Sequence, residues 1–195
     1  MQNFNFKIFT LNFDSRQIDK TWTLFLDRDG VINVEKKDEY VLDPSGFVFM
    51  SGALEAIRIL SSIFGIIVIA SNQRGIARGL MTLEDLHDVH ALMMEEIIHE
   101  SGRIDKIYFC ADMHDDSPNR KPNPGMALQA KKDFPQIDFS RSIMAGNKLS
   151  DMQFGRNAGM HTVFIASTNP ETPFPHELID ARFNSLLEFA EVLRD

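Results

Sequence analysis

Residues Ile66 to Ala70 read Ile-Ile-Val-Ile-Ala, an unbroken apolar run in which four of five side chains are β-branched. Gly65 stands before it and the polar Ser71-Asn72-Gln73 ends it. A run this short with no polar face is a strand buried on both sides, and such strands belong to parallel sheets covered by helices. Thr21 to Leu26, Ile104 to Cys110, Arg141 to Ala145 and His161 to Ala166 are further strand candidates. Helical spacing separates them. It marks Ala53 to Ile63, then a long stretch opening at Thr82 and running toward Gly102 with the stripe Leu83, Leu86, Val89, Met93 and Ile97. Pro124 to Lys132, Leu149 to Ala158 (closed by Gly159) and Ser185 to Leu193 follow. Asp85, three residues after Thr82, completes a capping box. Strand–helix alternation with apolar strands predicts an α/β fold with a doubly wound parallel sheet. One domain is expected over residues 1–195, with an added strand in residues 1–20, where Phe4, Phe6 and Ile8 alternate.

Composition excludes several classes. With 44% hydrophobic and 25% charged residues the chain has a globular balance rather than a disordered one. A single cysteine excludes a disulfide framework and an all-thiolate metal site, and fits a reducing compartment. A net charge of -8 argues against a nucleic-acid partner, which selects a basic surface. No apolar stretch nears the roughly 20 residues a bilayer requires, so no membrane partner is expected. The N-terminus lacks a basic start and a small-residue cleavage site. The expectation is a cytoplasmic protein, a monomer or weak homodimer.

In doubly wound sheets ligands sit beyond the carboxyl ends of the strands, and there the sequence concentrates its polar residues. The first strand delivers Asp27-Arg28-Asp29-Gly30. Two carboxylates this close repel, and a divalent cation relieves the repulsion; oxygen ligands of this kind suit Mg²⁺. The alternative is a helix cap with an exposed turn acid. Ser71, Asn72 and Gln73 supply donors between a strand and a helix, with Arg74, Gly75, Arg78 and Gly79 beyond, and such a run can cradle an anion or be a plain polar loop. Arg120-Lys121-Pro122 precedes a helix and can neutralise a phosphate or a carboxylate. Gly146-Asn147-Lys148-Leu149-Ser150-Asp151 follows another strand, bringing Asn147 and Asp151 toward the other carboxylates.

Strand–Asp-x-Asp-Gly, strand–Ser, Lys before a helix, and strand–Gly-x-x-x-x-Asp in this order resemble the haloacid dehalogenase (HAD) superfamily of phosphotransferases. Asp27 through Asn33, Glu39 through Gly52, Ser71 through Gly79 and Arg120 through Met126 are similar to the branch that hydrolyses heptose bisphosphates and histidinol phosphate. The resemblance implies a phosphatase for a small phosphorylated sugar, with a histidinol phosphate phosphatase as the alternative. It implies Asp27 as nucleophile and Asp29 as acid and base. Ser71, Asn72, Gln73, Arg120, Lys121 and Lys148 are implied to bind phosphate or substrate. Mg²⁺ is implied at Asp27, Asp29 (through its carbonyl), Asn147 and Asp151.

Two departures from the family pattern matter. Asn147 stands where the family has a metal-binding acid, so the site lacks one negative charge; weaker Mg²⁺ binding follows, and a weakly active or non-catalytic protein is the extreme case. Cys110 through Asn119 lacks the second cysteine pair of the zinc loop found in heptose enzymes, and one thiolate with His114 and carboxylates is a poor zinc site. No structural zinc is expected, and Cys110 reads as a packing residue. Asp27 and Ser71 are 44 residues apart and Ser71 and Lys121 are 50 apart, which leaves no room for a large cap domain. Substrate selection then falls to loops such as 33–51 and 112–120. His87, His90 and His99 read as a solvated helix face, and Met93 and Met94 as core.

Overall fold

A computed structural model of the chain describes residues 15–36 and 40–194. The expected strand around Phe4 to Ile8 lies outside the described residues. Six strands form one sheet: β1 (Thr23–Leu26), β2 (Ile66–Asn72), β3 (Lys106–Cys110), β4 (Ser142–Gly146), β5 (His161–Ile165) and β6 (Ala181–Phe183). Their order is β3-β2-β1-β4-β5-β6, and every neighbouring pair is parallel. The helices are α1 (Ala53–Ile63), α2 (Leu83–His99), α3 (Gly125–Asp133), α4 (Leu149–Ala158) and α5 (Leu186–Arg194).

The period of two along a strand builds both faces. Leu24 and Leu26 enter one core with Ile67, Ile69, Ile143 and Ala145, closed by α1, α2 and α5 through Ile57, Val89, Met93 and Phe189. Phe25 points the other way, into a core with Val68, Ala70 and Met144 that α3 and α4 close through Met126, Ala130 and Phe154. Cys110 packs in this second core, as expected. The sheet is doubly wound, and no large cap stands over it among the described residues. Also among them, no helix is long and apolar enough to cross a membrane.

Local chemistry sets most boundaries. Thr82 caps α2 in a full capping box: the Asp85 amide donates to Thr82 Oγ1 (3.1 Å) and the Thr82 amide to Asp85 Oδ2 (2.7 Å). Gly159, at φ 85, closes α4. Two expectations need adjustment, and one strand is added. The α2 helix stops at His99 and turns through Ser101 (φ 62) before Gly102. Leu83 is 47% exposed, so the buried stripe begins at Leu86. Residues Ala181–Phe183 add a strand that carries too few residues to show a pattern. It exists through its partners: Ala166 donates to the Phe183 carbonyl (2.8 Å), and Asp180 accepts from the Thr162 amide (2.9 Å) and binds Arg156 (2.6 Å).

The strand order reverses between β1 and β4, and at such a switch point the loops part to leave a crevice. Leu26 is paired with Ala145, so Asp27 leaves the sheet beside Gly146, the last residue of β4.

Candidate active site

A cavity of about 700 Å³ opens over this end of the sheet, lined by Asp27, Asp29, Ser71, Lys121 and Asp151 among others. At its floor lies Lys121, only 4% exposed. Its Nζ is 2.7 Å from Asp27 Oδ1 and 2.7 Å from Asp151 Oδ1. A buried ammonium stands here because two carboxylates surround it. Asp151 reaches this position because Gly146 lacks a side chain: a Cβ there would lie 2.3 Å from that of Asp151. The other Asp151 oxygen accepts from the Lys148 amide at 3.0 Å, the cap of α4. Both Asp151 oxygens are thus engaged.

Asn72 holds the lysine loop in place. Its side-chain amide donates to the Lys121 carbonyl (3.1 Å) and accepts from the Lys121 amide (3.0 Å). Its polar atoms face the protein backbone. Gln73 is also turned inward, donating from Nε2 to Ser71 Oγ (2.7 Å) and to Asp29 Oδ2 (2.8 Å). Asp29 Oδ1 accepts from Arg28 Nη2 (2.9 Å) and Asn33 Nδ2 (3.0 Å). Burial pushes the Asp29 carboxyl up, but the Arg28 guanidinium and these hydrogen bonds outweigh it and hold it below the usual carboxylate range. Asp27 behaves oppositely. Burial pushes it up to about 7; Asp151 and Asp29 add to the rise, and Lys121 opposes it.

Arg28 lies at the cavity wall with its guanidinium drawn inward, to Asp29 and Gln73. It is 1% exposed and turned into the protein. Its Nη1 lies 3.2 Å from His90 Nε2. A guanidinium has no acceptor, so this imidazole nitrogen is unprotonated and the ring is neutral. Burial, with Arg28 alongside, pushes the His90 pKa down to about 3. The expectation of a solvated histidine face is therefore wrong at position 90. The signal was available: Leu86, His90, Met93 and Ile97 recur at helical spacing, and all are buried.

Asn147, fully buried, follows β4 and packs on the turn at Gly30. Gly30 has φ 83, and a Cβ there would sit 2.2 Å from Asn147 Nδ2, so only glycine serves. Asn147 Nδ2 donates to Glu35 Oε2 (3.0 Å) and Thr168 Oγ1 (2.6 Å). These partners fix the amide orientation and leave Oδ1 buried without a hydrogen-bond partner. A buried orphan oxygen beside carboxylates is an acceptor waiting for a cation. The fit to a metal is partial in charge: among the described residues, no three His, Cys, Asp or Glu side chains gather to hold one. Asp27 and the Asn147 carbonyl oxygen are the donors the site offers. Lys148, expected to bind phosphate or substrate, lines the cavity and there pairs with Glu35, a residue the motifs did not single out.

The geometry can be set beside known proteins. A family model described as "HAD-hyrolase-like" matches residues 118–176. A D-glycero-alpha-D-manno-heptose-1,7-bisphosphate 7-phosphatase of Campylobacter jejuni is 41% identical over 148 residues, covering 76% of this chain and 84% of that protein. The chain belongs to the HAD-like hydrolases. A D-glycero-beta-D-manno-heptose-1,7-bisphosphate 7-phosphatase of Helicobacter pylori is 36% identical, covering 82% of this chain and 90% of its own length. Among solved HAD-like structures, the D,D-heptose 1,7-bisphosphate phosphatase of B. bronchiseptica, complexed with magnesium and phosphate, matches with a TM-score of 0.79 and 28% identity. That match covers 88% of this chain and 97% of the other. In this HAD-like chain Asp27, Asp29, Ser71, Asn72, Arg120, Lys121, Lys148 and Asp151 line one crevice; Asn147, fully buried, is not among its lining residues, and Gln73 bonds inward.

Proposed function

We propose that this chain is a Mg²⁺-dependent phosphomonoester hydrolase that removes the 7-phosphate of D-glycero-D-manno-heptose 1,7-bisphosphate. The observation that carries the reading is the Asp27–Lys121–Asp151 bridge at the sheet's switch point, with the orphan oxygen of Asn147 alongside. The relatives named above supply the sugar.

Asp27 is the nucleophile. A carboxylate oxygen of Asp27 attacks phosphorus, the bond from phosphorus to the sugar oxygen breaks, and an aspartyl-phosphate forms. Lys121 holds Asp27 in place and faces the negative charge that develops on the transferring group, with Ser71 as a second donor. Asp151 acts on the phosphoryl group through Lys121, whose Nζ it holds at 2.7 Å. Asp29 serves proton transfer. Approach of a phosphate dianion disfavours a second negative charge beside it, which favours the protonated Asp29 that delivers a proton to the departing sugar oxygen. The carboxylate so formed takes a proton from the water that hydrolyses the aspartyl-phosphate, and the cycle is proton-balanced. Arg28, Asn33 and Gln73 fix the Asp29 rotamer. Asp27 and Asn147 Oδ1, with the Asp29 carbonyl, would hold Mg²⁺. When bound, it offsets the charge between two anions that otherwise repel.

No zinc enters this reading. Cys110 Sγ donates to Asp112 Oδ2 at 3.5 Å, and Ser117 Oγ bonds the same oxygen, so a hydrogen-bonded loop stands where heptose enzymes carry thiolates. Elemental analysis of purified protein is expected to find no stoichiometric zinc. The function itself is tested by phosphate release from the heptose bisphosphate and from histidinol phosphate, with and without Mg²⁺. Release from the heptose substrate that requires Mg²⁺ and disappears in Asp27→Asn supports it. Preference for histidinol phosphate, or activity that survives Asp27→Asn, overturns it.

A further inference from the structure

The two oxygens of the Asp29 carboxyl are held unequally. Oδ1 accepts from Arg28 Nη2 (2.9 Å), Arg28 Nε (3.3 Å) and Asn33 Nδ2 (3.0 Å). Among the described residues, the side-chain donor to Oδ2 is Gln73 Nε2, at 2.8 Å. A carboxyl oxygen that hands on a proton needs room to act as a donor. Three donors, two of them on one cation, crowd Oδ1. Oδ2 is the oxygen left to carry the proton.

The support for this arrangement lies behind it. Arg28 Nη2 also donates to Gln73 Oε1 (3.3 Å), which turns the Gln73 amide so that Nε2 faces Asp29 Oδ2 and Ser71 Oγ. One guanidinium thus orients Asp29 directly and Gln73 as well. Its remaining nitrogen, Nη1, lies 3.2 Å from His90 Nε2. His90 is buried on α2, with its ring against Phe109 (centroids 6.1 Å apart), and is not among the residues lining the cavity. The mechanism above gives it no part. Its neighbours along the helix, Leu86, Val89 and Met93, are fully buried, so its position is fixed by the core. A buried guanidinium nitrogen without an acceptor is costly, and Arg28 deprived of His90 would turn to find another. The acceptor is also of the right kind. A carboxylate at this position would share the charge of Arg28 with Asp29; a neutral imidazole accepts the hydrogen bond and leaves that charge to Asp29.

We infer that His90 is a positioning residue for proton transfer: by accepting from Arg28 Nη1 it holds the guanidinium, and through it Gln73, in the arrangement that leaves Asp29 Oδ2 to serve the departing sugar oxygen. The inference rests on the proposed phosphatase reading and adds to it a residue that touches no substrate. As the bond from phosphorus to the sugar oxygen breaks, Oδ2 passes its proton to that oxygen and Asp29 becomes a carboxylate.

The test separates proton donation from general damage by changing the leaving group. A sugar alkoxide needs a proton to depart; the phenolate of p-nitrophenyl phosphate does not. For both substrates kcat/KM reports the steps up to loss of the leaving group. It is measured with Mg²⁺, well below the melting temperature, for the unmodified chain and for His90→Phe, His90→Asn and His90→Gln. His90→Phe fills the space without an acceptor, and His90→Asn keeps an acceptor on a shorter side chain that falls short of Arg28. Each should lower kcat/KM for the heptose bisphosphate about tenfold or more, as misplacing a general acid does, and that for p-nitrophenyl phosphate by no more than about threefold. His90→Gln should restore most of the loss on the sugar substrate. Should Phe at this position fail to fold, the comparison of Asn with Gln reads the same quantity. Equal losses on the two substrates, no loss on the sugar substrate, or a Gln variant no better than Phe or Asn overturns the inference. Failure of the functional reading shows elsewhere, as absent phosphate release from the heptose bisphosphate by the unmodified protein.

Discussion

Asn147→Asp should act in opposite directions on the metal-free and the Mg²⁺-bound protein. In the metal-free state Asn147 Nδ2 donates to the Glu35 carboxylate at 3.0 Å. An aspartate presents an oxygen there instead. The lost hydrogen bond to a charged acceptor is worth about 1.5–3 kcal/mol, and like charges now face each other, so the metal-free protein should lose a few kcal/mol of stability. Toward the cation the sign reverses. Asp27, Asp151 and Lys121 together carry a single net negative charge, and the substitution makes it two. One added charge about 4 Å from a divalent ion, at an effective dielectric near 20, is worth about 8 kcal/mol before dehydration. Dehydration of ion and carboxylate cancels most of that, leaving a ten- to hundredfold gain in affinity, about 1.4–2.7 kcal/mol. Calorimetric titration of MgCl₂ into metal-free protein reads the affinity, and melting with and without Mg²⁺ reads the stability. The variant should melt lower than wild type without Mg²⁺ and gain more on its addition. Unchanged Mg²⁺ affinity would refute the assignment of the orphan Oδ1 as a cation ligand.

Further outcomes follow from the buried charges. Asp27 has a folded pKa near 7 against an ordinary value of 3.8. A raised acid contributes stability that is complete below about pH 4 and is lost as pH rises through about 7. Metal-free Asp27→Asn should therefore melt higher than wild type at pH 8, by about 4 °C or more, and the gap should close toward pH 4. Melting curves in chelator across that range check it; a gap that does not vary with pH contradicts the burial argument. His90→Phe leaves Arg28 Nη1 buried without its acceptor and should cost about 1–3 kcal/mol in denaturant unfolding, with His90→Gln recovering most of it. Equal losses for Phe and Gln would mean that His90 contributes packing alone.

The parts legible in the sequence were those fixed by local chemistry. Continuous β-branched runs marked β2 because nothing else accommodates Ile66-Ile67-Val68-Ile69, and Gly159 and the Thr82–Asp85 box set helix ends through bonds between near neighbours. The motif residues Asp27, Ser71 and Lys121 were legible because each follows or precedes an identifiable element. What escaped was set by distant partners. Strand β6 has three residues, with Arg182 in the middle, and exists because β5 and the Asp180 clamp receive it. Gln73 and Asn72 looked like ligand donors; their partners Asp29 and Lys121 lie 44 and 49 positions away, and those contacts turn both amides inward. Arg28 and His90 are 62 apart in sequence, and each alone reads as a surface residue; only together do they explain their burial. Glu35 and Asp115 sit in loops without periodicity, so nothing local marked them as partners of Lys148, Arg74 and Arg120.

The central claim is that Asp27 attacks phosphorus while Lys121 holds it. Rapid quenching of enzyme mixed with heptose bisphosphate carrying a radiolabelled 7-phosphate, followed by proteolysis, tests it most directly. Label should appear during turnover on the peptide containing Asp27, be released by hydroxylamine as an acyl phosphate is, and be absent in Asp27→Asn. Full turnover with no label on that peptide at any quench time would contradict the account.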